Sequence, residues 1–329
     1  MFDVVVVGAG VIGLTCAVRL QEGGARVAVV TADEPAQTVS QVAAAVWYPT
    51  RTEGNPRVLD WARRTFDELA DQAVRGVPGV VMRPTRMLLR APAIQAPWWA
   101  EAVRDFRSAH PADVPAAFAG EWRFTVPTVE MGPYLHWLLQ RVTSAGGVLL
   151  RRRLHRLADV ADVAPVVVNA TGLAAGTLAD DADVYPVRGQ IVLVSNPGLF
   201  TSVRDEENPA GRTYVHPRSR DVVLGGTFEP LESDTTPSAA TGRAIIERCT
   251  ELVPELAGAQ VLTQLVGLRP ARHGGARVEV DQAGLPGGGS LIHNYGHGGA
   301  GITLGWGCAD EVASLFSSRS NSTHARESQ

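Results

Sequence analysis

Four consecutive valines, Val4–Val7, run directly into Gly8-Ala9-Gly10-Val11-Ile12-Gly13. A short unbroken apolar run reads as a strand buried on both faces of a parallel sheet. The glycine turn leads into a helical stretch, Leu14–Glu22, that Gly23-Gly24 stops, and then into a second apolar run, Val27–Val30. That order predicts strand, tight turn, helix, strand. Within a unit of about 30 residues, G-x-G-x-x-G spacing lets bare backbone N–H groups at a helix start approach a pyrophosphate. The chain is therefore expected to build an open α/β sheet with a dinucleotide at its strand ends. Asp33, just after the second run, is the candidate for the cofactor's ribose.

The chain has 329 residues, 45% of them hydrophobic, and a formal net charge of -4. That length suits one large α/β domain or two interleaved ones. Such a balanced charge indicates neither a nucleic-acid surface nor an anionic membrane as partner. No apolar run approaches the roughly 20 residues a membrane span needs, and no basic leader precedes the first strand. The three cysteines, Cys16, Cys249 and Cys308, lie far apart and match no metal or disulfide spacing. A reducing compartment, the cytoplasm, is expected. All 30 cationic side chains are arginine. Without lysine there is no Schiff-base anchor for pyridoxal phosphate and no GxxxxGK phosphate loop.

Further along, Ser40–Trp47 is a run of small residues, readable as a tightly packed helix or as a flat wall against a planar ring. Val58, Leu59, Ala62, Phe66 and Leu69 predict an amphipathic helix over Asn55–Leu69. Val80–Ala91 reads as sheet interrupted at Pro84, Met131–Val142 as a helix, and Val148–Leu157 as an arginine-rich strand. Trp98, Trp99 and Trp122 fall in a stretch with no readable periodicity. Val187–Ser195, Tyr214–His216 and Val222–Phe228 read as antiparallel strands, with the polar Asp205–Gly211 as a loop at a site entrance. The tail from Ser317 reads as a frayed end.

Leu291–Ala309 reads LIHNYGHGGAGITLGWGCA. Each glycine inside an element costs about 0.5–1 kcal/mol against alanine, so something must approach this backbone closely. The segment resembles the signature of the D-amino-acid oxidase family. The N-terminal GAGVIGL, Val42–Pro49 (VAAAVWYP), Tyr214-Val215-His216-Pro217 followed by Leu224-Gly225-Gly226, and Gly267–Arg272 (GLRPAR) are also family-like and fall in family order. Pro165–Gly172, a buried strand ending in Ala-Thr-Gly, is similar to the return strand of two-dinucleotide-fold flavoproteins and favours FAD over NAD.

The resemblance implies an α/β fold in which an FAD-binding Rossmann-like domain (1–55, 128–180 and 265–329) is interleaved with a mixed or antiparallel-sheet substrate domain (56–127 and 181–264). It implies that Arg269 clamps the substrate α-carboxylate, that Tyr214 hydrogen-bonds the same group, and that the Gly299 carbonyl receives the amino group. It places Gly298, Gly301, Ile302 and Thr303 at the flavin's pyrimidine end. Gly8, Ala9, Gly10, Val11, Ile12 and Gly13, with Ser40, Gln41, Ala44, Ala45 and Val46, would hold the diphosphate, ribityl chain and ring. Leu154 and Gly172 would lie near the adenosine. Two positions depart from the family: Ala210 stands where many members carry a lid tyrosine, and Ala300 where some carry a bulkier tyrosine. Gating by a lid is accordingly not inherited.

A planar guanidinium fixes a carboxylate in one orientation by two parallel hydrogen bonds, which a lysine cannot do. With carboxylate and amine held, only one enantiomer directs its α-hydrogen at the flavin. The implied reaction is oxidative deamination of neutral or apolar D-amino acids by hydride transfer to FAD, yielding a 2-oxo acid, ammonia and, with oxygen, hydrogen peroxide. A D-aspartate oxidase, with a second cation from Arg204, Arg212 or Arg218, is the alternative in the same class. A dehydrogenase with another electron acceptor and a non-catalytic FAD-binding redox sensor are the others. A homodimer is compatible with all of them. No metal is expected: His293 and His297 are four apart, but Gly296 between them opposes a helix. His216 reads as structural, Arg272 as a supporting or surface charge, and Cys308 as a small core residue.

Overall fold

The computed structural model describes residues 2–49, 54–92, 95–285 and 288–327. Val4–Val7 pairs in parallel with Val27–Thr31 on one side and Val166–Asn169 on the other. Val148–Arg151 extends the sheet beyond the former, while Ser290–Tyr295 and the antiparallel Arg277–Val280 extend it beyond the latter. Chain order thus reverses beside Val4–Val7, and a crevice opens at the carboxyl ends of Val4–Val7 and Val166–Asn169. Strand alternation divides the valines between two cores: Val4 and Val6 face the helices, Val5 and Val7 the opposite layer.

The helices Val11–Glu22, Pro56–Val74 and Gly301–Glu327 pack together over one face of this sheet. Asn55 caps the second, its side chain accepting from the Val58 N–H at 2.9 Å. Arg19 joins all three helices, with Glu22 at 2.7 Å, Glu68 at 2.5 Å and Asp310 at 2.7 Å, its guanidinium lying 4.4 Å from the Trp306 ring centre. Among the described residues no helix is long and apolar enough to cross a membrane. Cys16, Cys249 and Cys308 are all buried free thiols.

The second sheet is mixed. From one edge it runs Glu229–Pro230, Val184–Ser195, Asp221–Gly225, Thr213–Pro217, Ser202–Asp205, Val80–Leu89, Gly120–Val129 and Arg107–Ser108, and Val261–Arg272 also pairs with Val184–Ser195. Only Val80–Leu89 and Ser202–Asp205 run parallel. Trp99, 3% exposed, anchors an aromatic cluster against this sheet, with Phe124 at 5.1 Å and Tyr48 at 5.4 Å.

Several expectations are corrected. Pro84 does not interrupt its strand, because Ser202–Asp205 joins that edge only at Thr85–Met87 and no partner awaits an N–H at Pro84. The arginine-rich strand ends at Arg151. Arg152, Arg153 and Arg156 instead turn to Asp162, Asp33 and Asp159 in exposed ion pairs that a sheet covered on both faces could not hold. The strand from Asp221 stops at Gly225, short of Phe228. Of the two readings of Ser40–Trp47 the helix is not observed: one turn of 3-10 helix over Val39–Val42 gives way to irregular chain, with Ala45 at a φ of +54°, and Val46 bridges to Thr128. The tail does not fray at Ser317, since the last helix continues through Glu327, and the final two residues lie outside the described ones.

Two glycines of the last helix carry opposite expectations. A Cβ on Gly307 would lie 2.4 Å from Trp61 Cα, on the backbone of the neighbouring helix, whereas one on Gly305 would make ordinary contact with Ile12 at 3.6 Å. Gly307→Ala should therefore destabilise the protein by about 1–3 kcal/mol through overpacking. Gly305→Ala should be neutral or stabilising through helix propensity. Urea unfolding of both variants checks this contrast.

Candidate active site

The turn after Val4–Val7 is built on contact between backbones. A Cβ on Gly8, whose φ is +117°, would lie 2.3 Å from the Ala170 carbonyl oxygen, and one on Gly13 would lie 1.9 Å from that of Gly8. Helix Val11–Glu22 is thereby pressed onto its strand, with its N-terminus at the crevice. Ser40 caps it, its Oγ accepting from the Val11 N–H at 3.0 Å.

The second sheet roofs the crevice. Tyr214 pairs with Gly225, and Gly225 with Ile191; two residues back, Gly189 pairs with Gly267, and two residues beyond that stands Arg269. Steps of two keep Tyr214 and Arg269 on one face. Both side chains lie on bare backbone. A Cβ on Gly189 would fall 2.1 Å from Arg269 Nη1, and one on Gly225 1.9 Å from Tyr214 Cζ. The glycines at 189 and 225 are seats for the two side chains.

Arg269 donates from Nη1 to the carbonyls of Arg188 and Thr227, each at 3.3 Å, and has no acidic partner among the described residues. Its guanidinium faces the Phe228 ring at 5.7 Å. Tyr214 stacks on His216, centroids 4.8 Å apart. Burial pushes the Tyr214 phenol above its usual range, with the Arg269 charge acting in the opposite sense, so the phenol keeps its proton to donate. Arg248, 5% exposed, ties the layer beneath by donating to the Gly226 and Arg212 carbonyls at 3.1 and 3.2 Å.

Between the two sheets lies a cavity of about 670 Å³, lined by Gly8, Ala9, Gly10, Val11, Ile12, Asp33, Ser40, Ala44, Ala45, Val46, Leu154, Gly172, Tyr214, Arg269, Gly298, Gly299, Gly301 and Ile302. Three expected residues do not line it. Gly13 spends its missing side chain on Gly8. Gln41 lies beside Gly132 with its Oε1 buried and unpartnered. Thr303 turns its hydroxyl to Tyr48, accepting from the N–H and donating to the carbonyl, both at 3.0 Å. Ala300 is fully buried and also absent from the lining.

Gly296 lines the cavity, yet its bare position accommodates Arg272, whose Cβ would be 2.7 Å away. Arg272 in turn holds Asp181 at 2.8 Å, a carboxylate that also receives the Tyr295 hydroxyl at 2.7 Å. His293 pairs with Asp281 at 3.0 Å, and among the described residues no cluster could hold a metal ion.

Sequence reading missed Tyr48, Phe228 and the backbone around Thr38 in the lining. Phe228 follows a Gly-Gly-Thr turn and was the one with a local signal.

The residues present fit FAD. Bare backbone at Gly8–Gly10 and a helix N-terminus suit a diphosphate, and Ala44–Val46 forms a wall of small side chains. Two lining residues hold buried polar atoms without partners, Asn294 Oδ1 and His297 Nε2, which suits a cofactor rimmed with hydrogen-bonding groups.

Residues 3–315 match the family described as FAD dependent oxidoreductase. Over 94% of both chains, the protein is 49% identical to a D-amino-acid oxidase of Rubrobacter xylanophilus. It is 43% identical to a D-amino-acid oxidase of Streptomyces coelicolor, over 96% of this chain and 97% of that one. It is 35% identical to a D-aspartate oxidase of Homo sapiens, over 95% and 94% respectively. In structure it is similar to glycine oxidase from Bacillus cereus, with a TM-score of 0.79 at 20% identity over 97% of this chain and 96% of that one, a likeness of fold.

Burial holds the His297 imidazole down at about 4, and burial with the Arg204 charge holds that of His216 well below its usual value. Unfolded histidines titrate near 6.5. With folded values below unfolded ones, this contribution to stability is complete above about pH 6.5 and is lost as the pH falls toward the folded values. For His297 the expected loss between pH 7 and pH 5 is about 2 kcal/mol. Urea unfolding at both pH values should show His297→Gln shedding that part of the acid sensitivity; an unchanged slope counts against a neutral buried imidazole.

Proposed function

Because the chain belongs to the FAD-dependent oxidoreductase family, we propose that it is a D-amino-acid oxidase acting on neutral and apolar D-amino acids, with oxygen as acceptor. The observation that carries this reading is the placement of Arg269 and Tyr214 on one face of the second sheet, lining the same cavity as Gly299 of the Gly298–Ala300 turn. The relatives named as D-amino-acid oxidases support it.

FAD, which Gly8–Gly10, Ala44–Val46 and the Gly298–Ile302 segment would hold, would supply the two-electron oxidation of the substrate and its coupling to oxygen, and water would convert the resulting imino acid to the 2-oxo acid and ammonia. The chain's own residues bind and orient. Arg269, without an acidic partner among the described residues, offers its guanidinium to the α-carboxylate in a two-bond fork. Tyr214, kept protonated by burial, donates a third hydrogen bond to it. The Gly299 carbonyl accepts from the substrate amine. Three fixed points define one hand of the α-carbon, and such orientation supplies several kcal/mol of a barrier, about 7–11 at its limit. No side chain has to take a proton from the α-carbon. Phe228 and Tyr48 give the lining an apolar character suited to uncharged side chains.

An anaerobic titration with D- and L-amino acids, followed at the flavin absorbance, tests the proposal. D-alanine and D-methionine should bleach it and their L-forms should not; a spectrum that no amino acid changes sinks the enzyme reading. D-aspartate as the best substrate sinks the neutral specificity. Arg269→Ala should bind FAD yet lose about 3–5 kcal/mol of transition-state stabilisation in kcat/KM. Near-normal turnover there removes Arg269 from the mechanism.

A further inference from the structure

Apart from Arg152 and Arg153, which line the cavity with Asp33, a second guanidinium stands near Arg269. Arg212 lines the cavity and faces the Phe228 ring at 5.3 Å, the same ring that Arg269 faces at 5.7 Å. A third, Arg204, is 6% exposed and lies 3.8 Å from the centre of the Tyr48 ring, with Tyr48 lining the cavity and Arg204 behind it. One carboxylate serves both cations. Glu206 stands 3.0 Å from Arg204 Nη2 and 3.5 Å from Arg212 Nη1. Arg204 keeps its Nη1 buried without a partner, so Glu206 does not satisfy it fully. These charges reach the site: Glu206 and Arg204 both act on the Tyr48 and Tyr214 phenols. By contrast Arg218 is engaged with Asp221 at 2.6 Å.

We infer that Glu206, from behind the lining, determines side-chain specificity by occupying Arg212 and Arg204, so that an acidic side chain anchored beside Arg269 finds an already paired cation where it needs a free one. The inference rests on the oxidase reading above. A neutral side chain loses nothing by this arrangement. An acidic one meets at the wall a guanidinium whose charge Glu206 already offsets, with that carboxylate close behind it, and in a partly desolvated cavity the weakened attraction discriminates. Glu206, at 18% side-chain exposure, is only partly screened by water.

The test compares isosteric substrates that differ in charge alone, D-aspartate with D-asparagine and D-glutamate with D-glutamine, using the flavin-loaded enzyme. Glu206→Gln keeps an oxygen for Arg204 and should raise the acid-to-amide ratio of kcat/KM by about tenfold or more. Arg212→Gln in that background should take the gain away. Arg212→Gln alone leaves the Glu206–Arg204 pair in place, and should lower the ratio below that of the parent even if the Glu206 variant does not fold. Unchanged ratios in the variants overturn the inference, as does a parent enzyme that already prefers the acids. A parent enzyme that oxidises no D-amino acid at all is a different result, the failure of the oxidase reading itself.

Discussion

Main chain touches main chain where Gly8 lies on Ala170 and Gly13 lies on Gly8. Both contacts are closer than any Cβ permits, and they fix how far the first helix stands from its strand. That spacing places the helix N-terminus at the mouth of the crevice. The same device recurs on the opposite wall, where Gly189 and Gly225 let a guanidinium and a phenol lie flat on the sheet. Removing side chains from the support is how this fold immobilises the side chains that remain.

The cavity is a seam rather than a pocket within one layer. Arg269 and Tyr214 come from neighbouring parts of the second sheet, while Gly299 comes from the turn that follows the Ser290–Tyr295 strand of the first. The long helix Gly301–Glu327 starts from that turn and is held by Arg19 through Asp310. The turn is also tied directly to the second sheet, where His297 bridges Ala271.

Four strands of the first sheet were legible because they are short, apolar and have glycine nearby, whereas Arg277–Val280 and Ser290–Tyr295, which mix polar with apolar residues, were not. The site side chains were legible through resemblance, not periodicity: nothing in the local pattern distinguishes Arg269 from the other arginines. What stayed hidden was tertiary. Pro84 reads as a breaker until the length of its neighbour is known, and Ser40–Trp47 reads as either a helix or a flat wall until Val46 is seen to bridge Thr128. Gly296 and Gly307 belong to the glycine-rich signature, yet one accommodates Arg272 and the other Trp61. A motif shows that the backbone is bare, but only the neighbours show what comes close. Arg212 and Glu206 were invisible as a pair, because their significance is that two turn-flanking charges meet at one ring of the lining.

Every ion pair here with a permanent cation uses arginine, since the chain has no lysine. A guanidinium keeps its charge to beyond about pH 12, where an ammonium group has already begun to neutralise near 10.4. At Arg19 burial opposes the charge, but the hydrogen bonds to Glu68 and Glu22 push the guanidinium further up, so this three-way junction stays switched on throughout the alkaline range. The molecule's electrostatic frame is one-sided, open to dissolution by acid and indifferent to moderate base.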